Sequence, residues 1–439
     1  MKAGLDGGTF GFTIPYHLNG WLSFILGLLL AFGSIIAMLL SEITWLGFVA
    51  AFGFVVALAG SPTPVQKTIR RLRIQANRTR LAKTLDDQRA TDFSSFWSGE
   101  YVRSRGESSR DWVLPAPSEE AWNLSDVHAP DTTGVIPEHP AKVGTPQPST
   151  LTNWTLFLVP AAILVMLDIS KMTRMGLLKP LLSWLGFSFL SLAWLVMGWF
   201  ANRRAREMKD VPTSTVRSAA VGSLELVGQV RPQVQPPTVI VDRDPAKSIP
   251  DLVLWNWVYE VKVCWEETYT DSEGRTRTRQ KCEWRRKRGN RGSMDFILHD
   301  GTGGALVRAD TFSRLDLDDP LRVWQCTHSP RARDLLFELF TQGDVRAHRW
   351  TLKGIQLDDP VYLQGVAQSR TDADLDHHGI DRTVAHALLE IVGEDGVANH
   401  ARLERGTELS ALAGSRSAIE FLIIPLIFSL IGVFFAFSP

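Results

Sequence analysis

Five apolar stretches, grouped two, two and one along a chain of 439 residues, limit what this sequence can fold into. They cover 21–40, 43–60, 154–169, 181–201 and 419–437. Each approaches the ~20 apolar residues that a bilayer core of ~30 Å requires. Ser41 and Glu42 alone separate the first two, so that pair forms a hairpin or one long helix broken at Glu42. Lys171, Arg174 and Lys179 lie in the turn of the second pair. Five such runs in a soluble protein would need a far larger polar shell. The first is not followed by a small-residue cleavage site, and a second span comes at once, so it reads as a retained helix.

Lys and Arg close to a span resist translocation, and they set orientation. After the second stretch come Lys67, Arg70, Arg71, Arg73, Arg78, Arg80 and Lys83. After the fourth come Arg203, Arg204, Arg206 and Lys209, and before the fifth come Arg402, Arg405 and Arg416. The expected arrangement puts the N-terminus, 61–153 and 202–418 in the cytoplasm of a bacterial inner-membrane, multi-pass protein. Cys264, Cys282 and Cys326 have no regular spacing, which predicts reduced thiols in that compartment. Lys plus Arg and Asp plus Glu are balanced at 47 each, so net charge identifies no partner.

Composition divides the polar part. After a 1–19 N-terminal segment and a hairpin at 20–60, residues 61–110 form a basic juxtamembrane region. Val65, Ile69, Leu72, Leu81 and Leu85 recur there at helical spacing among basic residues, a pattern suited to an anionic membrane surface or to a solvated extension of the second span. Residues 111–153 hold Pro115, Pro117, Pro130, Pro137, Pro140, Pro146 and Pro148, which predicts a flexible linker. The 154–201 hairpin follows, then a folded domain over 202–418 and the closing helix at 419–437.

That domain reads mainly as strands, at 223–230, 253–265, 294–298, 305–308, 349–352 and 361–367, with a helix at 331–341. Asp271-Ser272-Glu273-Gly274 marks a hairpin turn joining 258–270 to 275–284. The expected fold class is an α-helical membrane bundle of five spans plus a β-rich α+β domain, with a five-stranded barrel as one form of it.

In order, Val216-Arg217-Ser218-Ala219-Ala220-Val221-Gly222-Ser223-Leu224-Glu225-Leu226-Val227-Gly228, Trp257-Val258-Tyr259-Glu260-Val261 and Phe296-Ile297-Leu298-His299-Asp300-Gly301-Thr302-Gly303 resemble the GIDE domain. Val361-Tyr362-Leu363-Gln364-Gly365 and the closing span fit the same pattern, and the likeness covers about 211 to 437. That family includes bacterial and archaeal membrane proteins and the membrane-flanked domain of mitochondrial ubiquitin ligases. The resemblance implies a membrane-bound β domain and, through the mitochondrial members, a ubiquitin-transferase label. Their ligase activity belongs to a RING finger, which needs closely spaced Cys and His pairs around Zn²⁺. Three scattered cysteines cannot supply them.

Other constellations are weaker. Asp372, Asp374, Asp376, His377, His378 and Asp381 open like a calcium loop, but His377 and Thr383 stand where such a loop needs Gly and Glu. A solvated acidic loop is expected there, with a weak divalent-metal site as the alternative. Gly301 to Gly304 reads as a tight turn rather than a phosphate cradle. Gly-x-Ser-x-Gly, Walker and His-Glu-x-x-His motifs are absent, and Asp168 is the one charge noted within a span, so neither enzyme nor channel is favoured. No cofactor or catalytic residue is expected. Arg275, Arg277, Arg279, Lys281, Arg285, Arg286, Lys287, Arg288 and Arg291 surround Trp284, against Glu283. This basic hairpin is a candidate surface for a protein partner or anionic lipid, less so for nucleic acid; a solvated hairpin face is the plain alternative. The expected function is a non-enzymatic, membrane-anchored scaffold or sensor.

Overall fold

The computed structural model describes residues 8–16, 18–41, 43, 45–76, 101–105, 108, 110–117, 126–132, 134–210, 213–270, 275–327, 344–396, 400–412 and 417–437. One compact unit comprises 1–72, 143–211 and 409–439; the other comprises 73–142 and 212–408.

The first unit is helical. Its helices are α1 (Leu18–Leu40), α2 (Leu46–Ala59), α3 (starting at Pro64 and ending at Ala76), α4 (Asn153–Arg174), α5 (Pro180–Asp210) and α6 (Ile424–Phe437), the last preceded by a π turn at Ile419–Ile423. Among the described residues five helical segments, Leu18–Leu40, Leu46–Ala76, Asn153–Arg174, Pro180–Phe200 and Ile419–Phe437, are long and apolar enough to cross a membrane, as the five stretches predict. α1 and α2 form a hairpin whose contact is made by small residues. A Cβ on Gly27 would lie 2.4 Å from Ala57 N, and one on Gly53 2.6 Å from Ala31 N, so the two backbones approach where side chains are missing. Phe24, Phe54 and Phe157 join α1, α2 and α4, while Trp184, Phe187 and Phe428 join α5 to α6.

Two buried carboxylates stand at helix N-termini in this unit. Asp168 Oδ2 accepts from Phe48 N at 3.0 Å, at the start of α2. Glu420, in the span expected to be uncharged, accepts from Thr152 Oγ1 at 3.0 Å and Thr155 Oγ1 at 2.7 Å, at the start of α4. Each replaces water for the unpaired N–H groups and opposes the positive end of the helix dipole. α3 opens on a capping box: Gln66 N donates to Thr63 Oγ1 and Thr63 N to Gln66 Oε1, with Pro64 at the first helical position.

The second unit contains β1 (Tyr101–Ser104), β2 (Gly222–Pro232), β3 (Leu252–Thr270), β4 (Thr276–Ser293), β5 (Phe296–His299) and β6 (Gly304–Val307). It continues with β7 (Leu315–Asp316), β8 (Arg322–Cys326), β9 (Asp344–Gln356), β10 (Pro360–Ser369), β11 (Leu389–Val392) and β12 (Arg402–Arg405). β2, β5, β6, β11 and β10 pair in a ring that closes through β10 and β2, giving the five-stranded barrel. Every pairing in the ring is antiparallel except β6 with β11. β12 and β7 extend it from the free edge of β10. Leu224, Leu226, Val230, Phe296, Leu298, Val307, Leu363 and Ile391 alternate inward and fill the barrel. Gly228 sits where β2 leaves β10 for β5, and a Cβ there would come within 2.7 Å of His299 O.

A second sheet, β1–β8–β9–β3–β4, is built from two insertions between barrel strands and from β1. Trp257, Tyr259, Val261, Val263, Trp324, Trp350 and Leu352 form its core on one face. The helix expected at 331–341 and the turn at 271–274 lie outside the described residues.

The Pro-rich segment differs from the flexible linker expected of it. Trp112, Val113 and Ile136 are buried, and Trp112 Nε1 donates to Asp358 O at 3.0 Å. Asp131 N and Ile136 N donate to Gly301 O and Asp300 O at 2.9 and 2.8 Å, laying the segment across the turn between β5 and β6. Proline restricts the unfolded chain, so ordering such a segment costs less than its composition suggests.

Candidate binding surfaces

Strand alternation sorts the basic residues of β4 onto two faces. In the β3–β4 register, Tyr269 faces Arg277, Glu267 faces Arg279, Trp265 faces Lys281 and Val261 faces Arg285, all on the side of the sheet core. On the solvent side Lys262 faces Trp284, Glu260 faces Arg286 and Asn256 faces Arg291. A bulge between Tyr259 and Glu260 accommodates Lys287 and restores the alternation for Arg288.

Several expected surface cations are engaged within the fold. Arg288 is bidentate to Asp242 at 2.7 and 2.6 Å and stacks 4.4 Å over Tyr259, which makes it a structural residue rather than a contact for lipid or a partner. Arg279 bonds Glu267 at 3.0 Å, with Lys281 3.7 Å from the same carboxylate, and Arg285 pairs with Glu283. Acids from β3, from β4 itself and from the turn at Val241–Arg243 therefore neutralise much of a stripe that looks uniformly basic along the sequence. Arg275 and Arg277 are exposed at the far end, and Arg286 and Lys287 are exposed nearer the base.

β9 accompanies β3 only as far as the Asp344–Cys264 pair, so beyond it 265–270 and 276–281 form a two-stranded ribbon among the described residues. Cys264 and Cys282 face each other at the base of this ribbon and are joined by a disulfide, contrary to the expected reduced thiols. Their spacing becomes informative once the turn is used as a fold axis, which brings the two positions opposite each other. A two-stranded ribbon alone is marginally stable, and the cross-link sits at the last described pair between β3 and β9. Cys326 takes no part in the disulfide.

The other predicted sites fare differently. In α3, Lys67 and Arg70 are half-buried, with Arg70 3.9 Å over Tyr16, and Arg71 is exposed. Arg73 is buried and donates to Asp111 O at 2.8 Å, which removes it from any lipid-facing set. Arg78 and Arg80 lie outside the described residues. The acidic cluster is a short helix, Asp372–His378, capped by Thr371 and ended by Gly379 at φ 59°. Its carboxylates are used locally: Asp374 by Arg370 and Arg308, Asp372 and Asp376 by Arg382. Among the described residues no group of three or more His, Cys, Asp or Glu is arranged to hold a metal.

A buried polar layer escaped the sequence reading. Glu225 and Gln364 project outward from β2 and β10 yet are buried, as is Glu408. Thr213 Oγ1 lies 3.0 Å from Glu225 Oε1 and 3.0 Å from Glu408 Oε2, and Gln364 Nε2 donates to Glu225 Oε2 at 3.1 Å. One hydroxyl proton cannot serve two carboxylates, so the trio needs a carboxyl proton. Burial, reinforced by the charge of Glu408, pushes the Glu225 carboxyl up to about 8. Burial also raises Glu138 to about 7, although its Oε1 accepts from Leu114 N at 2.5 Å. Outward positions on a strand read as solvated; here the Pro-rich segment contributes to the cover, and nothing in the alternation announces it.

Histidines mark the same cover. His299 Nε2 donates to Ala129 O at 2.8 Å, and Nδ1 accepts from Gly301 N at 3.0 Å. Burial and then the nearby Arg231 guanidinium lower it to about 4. His128 Nδ1 lies 2.6 Å from Gly304 O and His386 Nε2 2.9 Å from His128 O, so the glycine turn is held by imidazoles and main chain and is not an open phosphate cradle. Comparison of the chain with protein-family models, with curated proteins and with solved structures finds no match in any of the three.

Proposed function

We propose that this chain is a membrane-anchored, non-enzymatic docking protein of GIDE type, whose β domain lies on the cytoplasmic side and binds a protein partner through the β3–β4 ribbon. The observation that carries this reading is the ribbon itself. Among the described residues it continues past its pairing with β9 and leaves the outer edge of β4 unpaired from Thr276 to Ser293. Tyr269 and Trp265 alternate with cations on one face of it, with Arg279 5.5 Å over Tyr269 and Arg285 5.1 Å over Trp265. Bare edges invite strand addition, and charged residues restrict which strands are accepted. An extended acidic segment fits this edge: main-chain bonds supply affinity, and Arg277 and Lys281 select for charge.

The alternative of a ubiquitin-type ligase lacks a chemical basis in these residues, since two of the three cysteines are joined to each other and none forms a Cys-x-x-Cys pair. The test is a photo-crosslinking residue placed at Thr278 in the full chain within native membranes. A specific adduct that disappears in R277E/K281E is expected. An adduct pattern identical to that from a probe at the exposed Ser369 would refute the ribbon as the docking element.

A further inference from the structure

On the solvent face of the second sheet, the β4, β3 and β9 registers set four rows side by side. These are Arg291–Asn256–Lys353, Gly289–Val258–Thr351, Arg286–Glu260–Arg349 and Trp284–Lys262–Ala347. β8 and β1 extend the face, since Val323 pairs with Thr351 and Arg103 with Val323. The acid in these rows, Glu260, is taken by Arg349 at 2.9 and 2.7 Å. The cationic groups of Lys262, Arg286, Arg291, Lys353 and Arg103 have no carboxylate or hydrogen-bond partner among the described residues, and none of these residues is buried. The face toward the sheet core differs, because Arg279, Lys281, Arg285 and Arg288 all have acidic partners there.

The Arg291–Asn256–Lys353 row borders a cleft of about 850 Å³. Leu254, Ser293, Thr311 and Phe312 also line it, as do Asp310 and Asp316, the latter held by Arg110 at 2.8 Å, so the cations, hydroxyl donors and apolar surface lie at one side of a cleft that also carries acids. We propose that this cleft takes the phosphorylated headgroup of an anionic phospholipid, and that the remaining cations of the face rest on the anionic leaflet around it. The inference rests on the membrane-anchored reading above. Single-stranded nucleic acid fits less well, because it needs free aromatic rings for base stacking. Trp284 is the aromatic side chain of these rows, and the Arg349 guanidinium covers its ring at 4.1 Å. A protein interface fits less well too, since these rows lack a large exposed apolar anchor.

The experiment uses the full chain in a neutral detergent and measures binding of dioctanoyl phosphatidylglycerol, glycerol phosphate and a short oligothymidylate. Wild type is expected to bind the lipid, and K262E/R286E/R291E/K353E to lose at least tenfold in affinity while keeping the wild-type melting temperature. R277E/K281E, on the other face, should bind as wild type does. Equal lipid binding by wild type and the quadruple variant overturns the proposal. Glycerol phosphate binding as tightly as the lipid, or the oligonucleotide binding more tightly, overturns the assignment to a membrane lipid. Carbonate extraction of membranes separates the two levels: release of the chain defeats the anchored reading itself, whereas retention with unchanged lipid binding in the variant defeats this inference alone.

Discussion

Glu225 and Glu408 face each other across a single hydroxyl, that of Thr213, which stands 3.0 Å from a carboxylate oxygen of each. The proton this arrangement needs makes the stability of the β domain depend on pH. Glu225 is raised from 4.5 to about 8 in the folded state, so the native protein holds that proton more tightly than the unfolded chain. Its contribution is complete below pH 4.5 and is lost as pH rises through 8. The loss is on the order of 5 kcal/mol. Glu225→Gln, which mimics the protonated acid, should flatten the fall in melting temperature between pH 6 and 9 measured by tryptophan fluorescence. An unchanged slope would show that the proton resides elsewhere.

His299 acts in the opposite sense. Its folded-state value of about 4 lies below the ordinary 6.5, so its contribution is complete above 6.5 and is lost as pH falls toward 4. Protonation at Nδ1 removes the acceptor for Gly301 N and places a charge beside Arg231. Hydrogen exchange at 126–139 should accelerate between pH 6 and 4.5, before that of β10. Simultaneous loss of protection in both would mean that the segment has no separate stability.

Arg405 has Asp111, Asp318 and Asp359 around it and is only 4% exposed in its side chain. Arg405→Met removes the cation and leaves carboxylates buried without it, a change that costs about 3–5 kcal/mol. Urea unfolding of the detergent-solubilised chain should show a midpoint shift of that size. A shift below about 1 kcal/mol would place the network among weak surface pairs.

The Cys264–Cys282 pair reports on topology. If the β domain is cytoplasmic, maleimide labelling of denatured, acid-quenched cells adds to all three cysteines, and to Cys326 alone after oxidation of the purified protein. Addition to Cys326 alone straight from cells would place the domain in an oxidising compartment and reverse the proposed orientation. In the purified oxidised chain, C264S/C282S should lower stability by about 3 kcal/mol by the chain-entropy estimate for a loop of this size.

What the sequence made legible was whatever repeats locally. The five long apolar helices, the strands at 223–230 and 253–265 and the pairing of 258–270 with 276–284 follow from apolar runs and alternation, whereas β11, which the barrel needs in order to close, did not stand out in the sequence. Contacts between distant segments were not legible. Arg288 and Arg291 look equivalent in sequence, yet the bulge at Lys287 turns one toward Asp242 and leaves the other in solvent. Glu420 escaped notice because one charge at the edge of an apolar window barely changes its average. Val113 and Ile136 were discounted because proline density stood for disorder, whereas their burial is decided by barrel strands far along the chain.

The barrel also constrains the order of synthesis. β2 and β10 pair along Gly222–Ala367, and Leu226 meets Leu363 although roughly 140 residues separate them. While a ribosome makes the intervening insertions, β2 has no partner on that edge, and the ring cannot close until β10 and then β11 emerge. The closing apolar helix, which begins at Ile419, follows soon after β11 in the chain. On the membrane-anchored reading proposed above, barrel closure and delivery of the final helix to the insertion machinery fall close together in time, and delay in the first would leave an open, strand-hungry edge at the membrane surface.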